Sequence, residues 1–180
     1  MPNDTSSKSN RKASEISFAN VCWRKDWQRP YESLWSLLKK FAYLNAASVP
    51  DVRSLVAPKS DEDYPYGLFR ADLNTLVTVD PIKLQNAMAV NETTLIQSTA
   101  LGYLGLTEVV NLASVRLRYC VPCINSGFHT AFHQLLFFSH CSLHSSPLID
   151  RCVGCGTIRR YTLSAISDRN ESHCAIVLPV

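Results

Sequence analysis

The sequence predicts a mainly α-helical chain: a helical region with a helix-turn-helix outline, followed by a small zinc-ribbon or zinc-finger region. Three observations carry this expectation. Leu34, Leu37, Leu38, Phe41 and Leu44 recur at three- and four-residue steps and make one apolar stripe. Asp80 and Asn91, both good helix caps, open two short helical stretches separated by a brief break. Five of the seven cysteines fall within residues 118–156, as the pairs Cys120/Cys123, Cys141/His144 and Cys152/Cys155. The boundaries expected from these patterns are a disordered polar tail over 1–14, a helical domain over 15–115 and a zinc-binding domain over 116–180.

Composition limits the function classes. An apolar fraction of 46% and a charged fraction of 18% suit a globular chain. A net charge of +3 gives no global electrostatic case for nucleic acid, so any such case rests on local patches. The first fourteen residues lack the apolar core of a signal peptide. No apolar run approaches the roughly 20 residues of a membrane span. The expected location is the cytoplasm, with no membrane partner.

In chain order, "YESLWSLLKKFAYLNAAS" is the clearest helix, with Lys39 and Lys40 expected to face away from its stripe. Pro50 and "APKSDEDYPYG" interrupt the pattern and place a loop over Ala57 to Gly67. Asp80 then caps a helix whose first position is Pro81, where no amide donor is needed, and Ile82, Leu84, Ala87 and Met88 are its apolar positions. After a break at Ala89 and Val90, Asn91 caps the next helix. In a helix-turn-helix the start of the second helix reaches base edges, which makes Thr93, Thr94 and Gln97 the candidate DNA contacts. Arg116, Arg118, Arg151, Arg159 and Arg160 make the cysteine region locally basic; they would bind phosphates or form a solvated face. The closing "AIVLPV" is expected to be a strand.

In a reducing compartment paired cysteines are more often metal ligands than disulfides, and their odd number fits that view. Zinc accepts thiolate or imidazole at each tetrahedral corner, and a tight turn brings two ligands to one side of an ion. Two ligand schemes are open. In one, Cys120, Cys123, Cys141 and His144 share an ion, and Cys152 and Cys155 find partners such as His173 and Cys174. In the other, Cys141, His144, Cys152 and Cys155 close a site, and Cys120 and Cys123 are joined by His129 or His133. We favour the first. One or two zinc ions per chain are expected. No catalytic residue is expected: "FHTAFH" has no glutamate between its histidines, and no deaminase, phosphate-loop or serine-hydrolase motif occurs.

Two stretches resemble one family. "RPYESLWSLLKKFAYLNAAS" is similar to the opening of TniQ proteins, with Glu32, Ser33 and Leu34 at their E-S-L motif. "LRYCVPCINSGFHTAFHQLLFFSHCSLHSSPLIDRCVGCG" resembles their zinc region, and "LQNAMAVNETTLIQSTAL" sits where they carry a helix-turn-helix. The likeness covers most of residues 23 to 160. It implies a non-catalytic target-site selector in bacterial DNA transposition, with the six ligands Cys120, Cys123, Cys141, His144, Cys152 and Cys155. The partners it implies are DNA, an AAA+ transposition ATPase, a transposase, a CRISPR surveillance complex and a second copy of the chain. His133 stands where the family has tryptophan, Ser145 where it has glycine, and Val121, Ser142 and Val153 where it has proline. The alternative from another class is a stand-alone zinc-binding regulator that contacts DNA without transposition partners.

Overall fold

A computed structural model describes residues 21–56 and 72–163. The polar tail, the loop expected over Ala57 to Gly67, the C-terminal strand, His173 and Cys174 lie outside the described residues. Among the described residues there are six α-helices and no sheet: α1 (Leu34–Leu44), α2 (Val49–Val56), α3 (Pro81–Met88), α4 (Glu92–Gln97), α5 (Leu106–Leu112) and α6 (Val121–Asn125). Where a ribbon would have strands, isolated antiparallel bridges appear, among them Tyr119 with Ile149, His140 with Pro147 and Arg151 with Ile158.

The stripe that predicted α1 is its core face. Leu34, Leu37, Leu38 and Phe41 of that stripe are buried, with Trp35 beside them, each contributing about 1.5–3 kcal/mol, while Leu44 at the helix end is half-buried. Ser33 caps the helix by accepting from the Ser36 amide. The chain leaves it through Ala46 in the left-handed region (φ 49°), while the Ala47 amide returns to the Ala42 carbonyl. Lys39 and Lys40 do not face away as the sequence predicted; both are buried. Lys39 Nζ lies 5.2 Å from the Trp35 ring centre. Lys40 Nζ stands 2.7 Å from Glu32, which also accepts from Ser36 Oγ (2.6 Å) and the Arg29 amide (3.1 Å). Glu32 is thus a buried carboxylate with a full set of donors, and the aliphatic stems of the lysines cover core.

Pro50 does not interrupt helix formation either. Ser48 and Asp51 form a capping box, with the Ser48 amide on Asp51 Oδ2 (2.8 Å) and the Asp51 amide on Ser48 Oγ (3.3 Å), and Pro50 occupies the first turn of α2, where its missing donor costs nothing. Asp80 and Asn91 cap α3 and α4 through the Ile82, Lys83 and Thr94 amides. Ile82, expected in the core, is 69% exposed, whereas Leu84, Ala87 and Met88 are buried. Ala89 makes the turn between the two helices with φ 48°.

The main core draws on both sides of residue 115. Leu117, Tyr119, Ile124 and Tyr161 pack in one cluster with the apolar faces of α1 to α4. A second cluster of Ala100, Val109, Ala113 and Leu135 seats α5.

Candidate metal centre

Cys120 is the N-cap of α6, and Cys123 lies within its single turn, so both sulfurs leave the same end of a short helix. Gly127, at φ 68°, ends that helix in a Schellman turn: the Phe128 amide bonds the Cys123 carbonyl and the Gly127 amide bonds that of Ile124. Cys141 and His144 come from a turn between residues 141 and 146. Its Ser145 amide donates to the Cys141 carbonyl (2.8 Å), and its Cys141 amide donates to that of Ser146 (2.8 Å).

These elements gather Cys120, Cys123, Cys141 and His144, whose ligand atoms all lie within 4.8 Å of one another. Cys123 Sγ is 3.6 Å from Cys141 Sγ, and His144 Nδ1 is 3.6, 3.2 and 3.7 Å from the sulfurs of Cys120, Cys123 and Cys141. With metal–sulfur bonds of ≈ 2.3 Å, the edges of a tetrahedral zinc shell are about 3.5–3.8 Å. Three of these four separations fall in that range, the Cys123–His144 edge is shorter, and all four donors lie close enough to hold a metal ion such as zinc. The three cysteines are buried beside Phe128 and Leu148, and His144 is exposed.

Electrostatics agree with a cation-seeking site. Burial raises the thiol pKa of Cys120 and of Cys123, and the neighbouring sulfurs raise Cys123 further. Burial also pushes Cys141 up, but hydrogen bonds from the Leu143 and His144 amides and from the His144 ring outweigh it and bring the thiol down to about 7. Three thiolates this close repel one another, and a divalent cation removes that penalty.

His129 and His133 are not near this shell as donors. His129 Nε2 is 2.7 Å from the Arg118 carbonyl, which can only accept, so Nε2 carries the proton and Nδ1 accepts from Ser33 Oγ at 2.6 Å. With the Ser33 amide on the His129 carbonyl (2.7 Å) and the bridge between Glu32 and Thr130, this contact joins the start of α1 to the metal region. Burial lowers the His129 pKa to about 4 against the raising effect of the Arg118 carbonyl. His133 packs edge-on against His129, with ring centres 4.9 Å apart, and its two ring nitrogens have no hydrogen-bond partner among the described residues. Burial, then the neighbouring His129 and Arg118, lower its pKa to about 2.

Cys152 and Cys155 repeat the local turn of the first site. The Gly156 amide donates to the Cys152 carbonyl (2.9 Å), the Cys152 amide to that of Thr157 (2.9 Å), and Gly156 has φ 73° where Ser145 has φ 52°. The Gly154 amide lies 3.4 Å from Cys152 Sγ. Among the described residues no third or fourth donor joins this pair.

The other predicted contacts divide. Thr93 and Gln97 are exposed on α4, and Thr94 is half-buried. Arg160 is exposed and Arg159 half-buried. Arg116 pairs with Asp150 at 2.9 Å. Arg118 is a structural residue, its guanidinium donating to the Leu135 and Phe138 carbonyls, so it holds the 135–138 turn and is not free for phosphate. Two features were not foreseen from the sequence: the Ser33–His129 link, which spans 96 residues, and the left-handed conformation of Ser145, signalled by the glycine at the matching position of the second turn and by the glycine the resembled family has there.

No family model matches the chain, and neither a curated protein nor a solved structure was found to resemble it. Among the described residues no helix is long and apolar enough to cross a membrane.

Proposed function

We propose that the chain is a non-catalytic, zinc-stapled adaptor of the TniQ type, which helps select the target site in DNA transposition by linking DNA or a guide complex to an AAA+ ATPase and transposase. The observation that carries this reading is the coincidence between motif and architecture. Glu32 and Ser33 join the start of α1 to Thr130 and His129 in the segment between Cys123 and Cys141, the Leu34 amide bonds the Ser98 carbonyl beyond α4, and the first four motif ligands form the buried cluster. Zinc at Cys120, Cys123, Cys141 and His144 would supply folding energy, since metal binding to such a site is coupled to folding. The second turn, at Cys152 and Cys155, would hold a further ion once two more donors joined it. On α4, Thr93 and Gln97 share one exposed side and are the residues offered to base edges, with Thr94 beside them and Arg116, Arg159 and Arg160 as phosphate contacts.

The test is co-purification of the full chain with the ATPase and transposase encoded beside it, and with any neighbouring CRISPR complex, with and without DNA. Retention of the ATPase supports the adaptor. Sequence-specific DNA binding by the chain alone, with no ATPase retained, would favour the stand-alone regulator.

A further inference from the structure

A groove of about 590 Å³ runs between α5 and the metal region. It is open to solvent along its length, a surface groove and not an enclosed cavity. Its floor is aliphatic: Val110, Ala113, Leu136 and Leu148 line it, and Val110 and Leu136 are about half exposed. Leu136 continues outward into Phe137 and Phe138, whose ring centres lie 4.8 Å apart at the surface with their planes tilted by 49°. Exposed aliphatic and aromatic side chains that adjoin one another beside charged groups are the kind of surface a partner covers.

The charge lies at one end and is unbalanced. Asp150 Oδ2 receives Arg116 at 2.9 Å, and Arg151 Nε stands 3.7 Å from Asp150 Oδ1. Arg118, which also lines the groove, is answered by two carbonyl oxygens and not by a carboxylate. Arg116 and Arg151 thus share one carboxylate, and Arg118, held by carbonyls, adds a third positive charge beside the groove without being free to pair.

We propose that this groove binds a short protein segment that carries aliphatic side chains next to an aspartate or glutamate. The aliphatic residues would cover the Val110–Leu136 floor, and the carboxylate would meet the arginines at the Asp150 end, where bidentate pairing is geometrically favoured. Nucleic acid fits less well, because the cations cluster at one end and do not track along the groove as a phosphate backbone would need. The inference does not rest on the transposition reading; it stands for any partner with such a segment.

The experiment pans the zinc-loaded full chain against displayed random short peptides, then measures the selected peptide, fluorescein-labelled, by anisotropy. Selection of peptides joining Leu, Ile or Val to Asp or Glu is expected. Leu136→Asp should weaken the selected peptide about tenfold or more while leaving zinc content and helicity unchanged. Asp150→Asn, which removes the competing carboxylate, should tighten it about threefold. Selection of basic peptides, no selection at all, or affinity indifferent to both substitutions would overturn the proposal. So would self-association abolished by Leu136→Asp, which would assign the groove to a second copy, or oligonucleotide binding abolished by it, which would assign it to nucleic acid.

Discussion

The turns at Cys141–Ser146 and Cys152–Thr157 are near copies of one another, yet among the described residues only the first is part of a four-donor cluster. Each closes with an amide to the first cysteine's carbonyl, each is flanked by a single antiparallel bridge (His140 with Pro147, Arg151 with Ile158), and each places its fifth residue in the left-handed region. The difference lies outside the turns. The first is met by Cys120 and Cys123 at the end of α6, which is held against α1 by the Ser33–His129 contact. The second has no such counterpart among the described residues. A two-ligand turn is therefore a local product of sequence, whereas a metal site is a tertiary one.

Breaking the first turn should have the largest effect. Removing zinc with a chelator, or making Cys123→Ser, should unfold residues around the centre and lower thermal stability severely, since zinc contributes about 10–16 kcal/mol to small zinc-folded units. Cys155→Ser should lower the midpoint far less, because Cys155 is exposed and unclustered. Equal losses in a thermal melt would erase the distinction between the turns.

Next comes the support beneath the first site. Glu32→Ala leaves Lys40 buried without its carboxylate and should cost about 3–5 kcal/mol in urea unfolding. His133→Phe acts in the opposite direction. It removes two buried nitrogens without partners and should raise stability by about 1–3 kcal/mol.

The same histidines set a pH dependence. Their folded pKa values lie below the ordinary 6.5, so the unfolded chain takes up protons that the folded chain refuses. Stability from this source is intact above about pH 6.5 and falls as the pH drops towards 4, the folded value of His129. His133→Phe should flatten the slope of stability against pH in that window; an unchanged slope would remove His133 from the account.

The smallest effects compare the turns directly. Ser145→Gly relieves a left-handed serine and should stabilise by about 1 kcal/mol, while Gly156→Ser should destabilise by a similar amount. Opposite signs are the expected outcome of differential scanning measurements.

What the sequence discloses follows the same division. Short-range signals read well: the α1 stripe, the caps at Asp80 and Asn91, and the turn geometry implied by each ligand pair. The capping box of α2 was equally local but was hidden behind Pro50, whose first-turn role resembles an interruption. Lys40 was misassigned because polarity predicts exposure unless a partner is known, and Glu32 is a partner only once α1 forms. His129 and His133 at i, i+4 looked like potential ligands, and only the packing of α1 against them shows that one is a buried link and the other a core side chain. The family resemblance pointed to six ligands; the fold gathers the four that the favoured scheme placed on one ion, and His173 and Cys174, the partners that scheme gave Cys152 and Cys155, lie outside the described residues.

The most direct test is zinc X-ray absorption on the Cys152→Ser, Cys155→Ser double variant. The account predicts one zinc retained per chain, bound by three sulfurs and one nitrogen. Loss of the metal, or a shell of nitrogen and oxygen, would contradict it.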